Sequence, residues 1–220
     1  MKRPLVIFGA GEIAQLAHYY FHHDSNYRVV AFTVDDEYVS NDLFEGLPLL
    51  PFSELGQAFP VDACEVFVAL SYAKINILRQ QKYLAVKSRG YKLASYVSSR
   101  ASVLNKIIGD NCFILEDNTI QPYVCIGNNV TLWSGNHIGH HSIIGDHCFI
   151  SSHVVISGGV QVGERCFIGV NSTLRDHIKV GENCVIGAGS LLLSDAEPGG
   201  VYMSDTTIRS QVPSSRLRGI

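Results

Sequence analysis

The chain has 220 residues, 46% of them hydrophobic and 17% charged, with a formal net charge of −3. That length holds one large domain or two small ones, and the composition is that of an ordinary globular protein. A slightly acidic balance without a Lys/Arg block gives no basis for a nucleic-acid or anionic-membrane partner, and the longest apolar runs are too short to span a bilayer.

The N-terminus, MKRPLVIFGAGE, carries a five-residue apolar run before glycine. It reads as a first strand, LVIFG (5–9), and not as a signal peptide, so a cytoplasmic location is expected. GEIAQLAHYYFHH follows as a helix with Ile13, Leu16, Ala17 and Tyr20 on one face. RVVAFTV (28–34) is a second strand ending at Asp35-Asp36, and a loop runs through Pro48 and Pro51. CEVFVAL (64–70) is a third strand, 74–89 a helix closed by Gly90, and YKLASYV (91–97) a fourth strand. Strands alternating with helices imply a parallel sheet with right-handed crossovers. Residues 1–96 therefore read as an α/β unit, too short for both halves of a doubly wound dinucleotide domain.

From Ile108 to Leu192 every sixth residue is a branched aliphatic: Ile108, Ile114, Ile120 and onward without a slip to Val180, Ile186 and Leu192. A helix drifts out of phase with a strict period of six, and a simple strand has period two. A fixed short period marks a repeat architecture, and six points to a parallel β-helix over 97–192, leaving 193–220 as a tail. Cys112, Cys148, Cys166 and Cys184 are separated by 36, 18 and 18 residues, each four places after an aliphatic anchor. That slot otherwise holds Asn, Ser, Val or Ile, so these cysteines read as small buried residues; no CxxC pair supports zinc or a disulfide.

The hexads IGDHCF, VGERCF, IGVNST, VGENCV and IGAGSL resemble those of the hexapeptide-repeat acyltransferases. That resemblance implies a left-handed β-helix of triangular cross-section, three hexads to an 18-residue coil, and the cysteine spacing agrees. With an α/β unit ahead of the coil, the chain is similar to the group containing sialic-acid O-acetyltransferases and the bacillosamine-pathway, perosamine and viosamine N-acetyltransferases. The expected fold class is a truncated Rossmann-like α/β unit followed by a left-handed parallel β-helix.

Residues 18 apart then stack in neighbouring rungs about 4.8 Å apart. His140 shares a column with Pro122, Gly158 and Asp176; His141 with Tyr123, Gly159 and His177. His141, His147 and His153, six apart, fall on three corners and cannot converge on one metal within a chain. The γ-class carbonic anhydrases share this coil and use two histidines five residues apart, a spacing absent from the repeat. No metal is expected. His147, His153 and His177 read as solvated turn residues, and Arg175 and Lys179 as solvated charges.

In the segment IGHHSIIG (138–145) the resemblance places a general base at His140, where it would take a proton from the acceptor; an ordinary imidazole titrates near neutrality and suits that task. It assigns the backbone N–H of Gly158 to the thioester oxygen. The family histidine is often flanked by carboxylates; here the flanks are Gly139 and His141, so something else fixes the tautomer of His140, or His141 takes part. The resemblance also implies acetyl-CoA lying between subunits of a homotrimer, its pantetheine arm held by backbone near Gly158, Gly159, Val170, Asn171 and Ala188.

GAGEIA (9–14) follows a strand and opens a helix, matching GxGxxA, with acidic Asp35 and Asp36 after the second strand. Taken alone this reads as a dinucleotide fingerprint. The resemblance assigns the turn instead to a nucleotide sugar, contacted by Gly9, Gly11, Glu12, Asp35 and Asp36. The family turn often ends in Gly-His, where this chain has Gly11-Glu12. The expected activity is acetyl-CoA-dependent acetylation of the 4-amino group of a nucleotide-linked (dTDP, UDP or GDP) deoxy amino sugar, as in polysaccharide biosynthesis. O-acetylation of a sugar, an NAD-binding reductase and a non-catalytic binding module are the alternatives.

Overall fold

The computed structural model describes residues 2–104, 107–207, 209, 211, 213 and 216. The N-terminal unit runs β1 (Arg3–Phe8), α1 (Glu12–His23), β2 (Tyr27–Val34), β3 (Leu43–Phe44), β4 (Leu47–Pro51), α2 (Leu55–Ala58), β5 (Glu65–Val68) and α3 (Ile77–Ser88). Its sheet order is β3-β4-β2-β1-β5, parallel except for the β3–β4 hairpin. Alternation along β1 sends Leu5 and Ile7 into one core with Ala14, Ala17 and Phe21 of α1. Val6 and Phe8 enter the opposite core with Phe52, Leu55, Tyr83 and Val86.

Three local expectations are corrected. The loop through Pro48 and Pro51 contains the β3–β4 hairpin, because Glu45 and Gly46 take positive φ (50° and 75°) and close a two-residue turn. Helix α3 starts at Ile77, since Lys74, Ile75 and Asn76 are left-handed (φ 53°, 52° and 63°) and the buried Asn76 amide reaches the Cys166 carbonyl at 3.2 Å. Residues 91–97 do not form one strand of the α/β sheet. Leu93 bridges Val66 beside β5, whereas Tyr96–Val97 pairs with Phe113–Ile114 as the first strand of the repeat. Ser95 makes the break, its hydroxyl donating to Gly109 O and accepting from Cys112 N.

The repeat is a left-handed parallel β-helix with three faces. Among the described residues one face has seven strands (Tyr96–Val97 to Val201–Tyr202) and one has six (Ser102–Val103 to Leu191–Leu192). The third has four, from Cys125–Ile126 to Lys179–Val180. Neighbouring strands pair 18 residues apart, for example Thr131↔Phe149 and His137↔Val155. The second residue of each strand points inward, which stacks the aliphatic ladder into one core with the four repeat cysteines. Each of those thiols is buried and donates to a carbonyl of the next rung, as Cys148 does to Gly163 O at 3.0 Å.

Each corner is turned by one left-handed residue. Every sixth position from Asn111 to Gly189 has positive φ, and His141, His147, His153 and His177 all occupy this slot. Histidine, like asparagine, tolerates left-handed backbone better than most residues. After Leu192 the chain adds a partial rung, with Ala196 bridging Val180 and Val201–Tyr202 pairing with Val185–Ile186. Part of the 193–220 tail, including Leu217–Ile220, lies outside the described residues.

The α/β unit sits on the seven-stranded face. Its outward residues Tyr96, Phe113, Thr131 and Phe149 are buried, whereas Val201 at the far end is 66% exposed. Arg79 of α3 pins the contact. Its guanidinium is 1% exposed and donates to the carbonyls of Asn129 (2.6 Å), His147 (3.0 Å) and Cys148 (3.1 Å), to Thr131 Oγ1 and to Asn76 Oδ1. Burial pulls its pKa down to about 10, so it remains a cation at neutral pH.

Candidate active site

Two regions carry the sequence-derived site residues. The first is the corner between the six- and four-stranded faces, where rungs 139–142 and 157–160 turn. His140 stands one place before the left-handed slot that the other corner histidines occupy. It lies across the next rung: a Cβ built on Gly158 would meet His140 Cε1 at 2.6 Å, Nε2 at 2.8 Å and Nδ1 at 3.2 Å. Only a glycine leaves room for the imidazole there.

Backbone hydrogen bonds tie the two rungs together, Gly159 N donating to His140 O at 2.8 Å. The His140 N–H donates to Gln121 Oε1 at 2.9 Å. The equivalent N–H of Gly158 has no acceptor among the described residues. A backbone donor thus lies under the imidazole, free to bind a ligand oxygen. Nδ1 of His140 is 3.1 Å from Nδ1 of His141, whose ring stacks on Tyr123 with centroids 4.6 Å apart and planes 29° apart.

The other corner histidines divide. His153 and His177 are exposed and lie against the glycines of adjoining rungs, Gly135 and Gly159. His147, expected to be solvated, is buried. The α/β unit covers its corner, Tyr83 meets its ring edge-on at 5.3 Å and Asn129 Nδ2 approaches its Nδ1 at 2.9 Å. Burial lowers its pKa below the ordinary imidazole value.

The backbone positions expected to meet the pantetheine arm separate onto two corners. Gly158 and Gly159 flank His140. Val170, Asn171 and Ala188 are exposed at the junction of the seven- and six-stranded faces, across the six-stranded face from His140. Among the described residues no group of three His, Cys, Asp or Glu side chains could hold a metal ion, and no helix is long and apolar enough to cross a membrane.

The second region is a cavity of about 600 Å³ at the carboxyl ends of β1, β2 and β5, where the strand order reverses about β1. Open α/β sheets bind ligands at such a place. Gly9 and Asp35 line it, with Tyr38, Asn41, Phe44, Leu78 and Lys82 among the other walls. Gly9 is required by geometry: its φ is 132°, and a Cβ would meet Ala69 O at 2.7 Å. Asp35 pairs with Lys82 of α3 at 2.6 Å.

Gly11, Glu12 and Asp36 do not line this cavity. Gly11 is the N-cap of α1, Glu12 begins that helix, and Asp36 is turned toward Ser53. Hydrogen bonds from Ser53 hold the Asp36 carboxyl below the ordinary carboxylate range. Sequence reading missed Leu78 and Lys82, because it showed a helix over 74–89 without showing which side faced the crevice. It also missed the β3–β4 hairpin, which supplies Leu43, Phe44 and Leu49.

The family of bacterial transferase hexapeptide repeats (six repeats) matches residues 126–158 and 159–194. No curated protein matches the sequence. Among solved structures, the chain is similar to the acetyltransferase domain of PglB from Neisseria gonorrhoeae FA1090, with TM-score 0.81 and 21% identity over 92% of this chain and 97% of that one. It is similar to the same domain in complex with acetyl coenzyme A, with TM-score 0.81 and 20% identity over 93% and 97%. It is also similar to PerB from Caulobacter crescentus in complex with CoA and GDP-perosamine, with TM-score 0.81 and 22% identity over 91% and 94%. The shared fold includes both the α/β unit and the coil.

Proposed function

We propose that this chain is an acetyl-CoA-dependent N-acetyltransferase acting on the 4-amino group of a nucleotide-linked deoxy amino sugar. The observation that carries this reading is the His140 imidazole lying across Gly158, whose N–H has no acceptor among the described residues. A base beside a free backbone donor is what direct acyl transfer from a thioester requires. The amine nitrogen attacks the thioester carbonyl carbon and its proton passes to His140. The carbonyl oxygen, now carrying the charge, accepts from Gly158 N–H. The C–S bond then breaks, and the imidazolium returns the proton to the leaving thiolate, giving amide and free CoA. Cys112, Cys148, Cys166 and Cys184 are buried in the coil and form no acyl-enzyme.

In this reading residues 1–96 hold the nucleotide sugar, 97–192 carry out acyl transfer, and 193–220 form a tail. Gly9 and Asp35 at the cavity wall contact the nucleotide sugar; Gly11, Glu12 and Asp36, which lie outside its lining, are left without that role. Acetyl-CoA is held by backbone at Gly158, Gly159, Val170, Asn171 and Ala188. The similar PerB and PglB structures contain GDP-perosamine with CoA, and acetyl-CoA, respectively, which supports this substrate class.

A homotrimer is part of the proposal. Within one chain Arg79 of α3 sits against the corner formed by Asn129, His147 and Cys148, whereas His140 occupies a different corner. The expected acetyl-CoA contacts likewise fall on both edges of the six-stranded face. Neighbouring copies around a threefold axis would each contribute one edge.

The test is release of free CoA thiol against a panel of UDP-, dTDP- and GDP-linked 4-amino sugars, with their 4-hydroxy counterparts alongside. Turnover of an amino sugar is expected. No turnover of any acceptor sinks the activity, and turnover of hydroxy sugars alone replaces N- by O-acetylation.

A further inference from the structure

We infer that His141 is the positioning residue that selects the working tautomer of His140, so that the pair is competent only when both imidazoles are neutral. The inference rests on the reading of His140 as base.

The geometry permits few arrangements. A separation of 3.1 Å between Nδ1 of His140 and Nδ1 of His141 is a hydrogen bond. Such a bond needs one nitrogen with a proton and one with a lone pair. Nε2 of His140 is the ring nitrogen nearer Gly158, at 2.8 Å against 3.2 Å for Nδ1 from the Cβ position built there. With Nδ1 engaged by His141, Nε2 is the nitrogen left to act as base, so His140 must keep its lone pair on Nε2 and its proton on Nδ1. His141 then accepts on Nδ1 and carries its own proton on Nε2.

His141 is itself fixed. Its backbone is left-handed at φ 59°, its N–H donates to Pro122 O at 3.2 Å, and its ring stacks on Tyr123. His140 is tied through its own N–H to Gln121. Both rings are thus held from the preceding rung.

A neutral partner differs from a carboxylate in what acid does to it. A carboxylate remains an acceptor far below neutral pH. Protonated His141 has no lone pair left and must donate from Nδ1. His140 can then answer only with its Nδ1 lone pair, which moves its proton to Nε2 and removes the base. Protonating His140 directly has the same result. One proton on either ring inactivates the pair. Among the described residues the other titratable groups at this corner are Tyr123 in the preceding rung and Arg175, Asp176 and His177 in the rung after Gly158. His177 lies against Gly159 and within 4.0 Å of Asp176, and both are exposed.

The test has an arm that needs no turnover. In protein labelled with ¹⁵N at histidine, with His140 assigned by its loss in His140→Gln, the nitrogen shifts at neutral pH should show His140 protonated on Nδ1. His141→Phe keeps the stack on Tyr123 and removes the acceptor, and it should let His140 populate both tautomers. In the kinetic arm His141→Phe should lose at least tenfold in kcat with the KM for acetyl-CoA unchanged, and its melting temperature should fall only by the cost of placing Phe in the left-handed slot. His141→Gln, which retains an acceptor, should recover most of the rate. His141→Glu should move the acid limb of the pH–rate profile upward by about one pH unit, because a nearby anion stabilises the imidazolium.

His140 protonated on Nε2 in the unmodified protein overturns the inference. So does a His141→Phe variant with unchanged kcat and pH profile in an enzyme that turns over. An inactive protein with the expected nitrogen shifts would instead count against the acetyltransferase reading and leave the tautomer assignment standing.

Discussion

Replacing Gly158 by alanine separates the placement of the base from the stability of the coil. The added Cβ would lie 2.6 Å from His140 Cε1, whereas carbon atoms settle at about 3.5–4.0 Å. The ring must therefore retreat by about 1 Å. His140 is an exposed side chain and can move, and Gly158 does not have left-handed backbone, so alanine is unstrained there. The fold should tolerate the change with a melting temperature near that of the parent. The Gly158 N–H is still present, so only the base is displaced. A displacement of about 1 Å from reactive geometry costs about 10²-fold in rate, or roughly 2.7 kcal/mol on the barrier. Initial-rate measurement of CoA thiol release should show that loss in kcat, with little change in KM for acetyl-CoA. Gly139→Ala is the contrasting control. Its Cβ would meet backbone, Ser157 C at 2.5 Å and Gly158 N at 2.6 Å, which cannot move aside. That variant should lose stability before activity is at issue. A Gly158→Ala enzyme with the parent kcat would refute the placement of His140 as base.

Asp35→Asn removes the charge that pairs with Lys82 at the cavity wall; calorimetric titration should show nucleotide-sugar affinity down about tenfold with acetyl-CoA affinity unchanged. Arg79→Met leaves the carbonyls of Asn129, His147 and Cys148 without their donor, and urea denaturation should report a loss of about 3 kcal/mol or more. Burial of His147 lowers its folded pKa, so the folded chain binds fewer protons there than the unfolded one. Its contribution to stability is complete above about pH 6.5 and is lost as pH falls from there through the lowered folded value. Melting temperatures between about pH 5 and 7.5 should show this slope, and His147→Asn, which suits the left-handed slot, should flatten it. Equilibrium dialysis with NAD should show no binding; tight binding would revive the reductase alternative.

The repeat was legible because its physics is local and periodic. One inward aliphatic per hexad and one left-handed corner residue per hexad recur at fixed spacing, so the 18-residue register follows from the chain alone and predicts that His140 stacks with Gly158. A finer signal was also present in the sequence. His141, His147, His153 and His177 share one slot of the hexad and His140 does not, which separates the left-handed corner residues from the histidine one place before them.

What faced what across the two units was decided only in three dimensions. His147 occupies the same slot as the exposed His153, yet it is buried because α3 and Tyr83 cover that one corner. Lys82 reaches the cavity, and Asp36 turns away from it, because packing of α3 and of the segment at Ser53 sets their directions. Segment 91–97 divided between the two units because the Ser95 hydroxyl bonds to the coil at Gly109 and Cys112. A repeat writes its register into spacing, and each rung needs only its neighbours. The docking of the α/β unit depends on contacts between residues as much as 96 positions apart, such as Tyr20 with Glu116, and no periodicity in the chain encodes them.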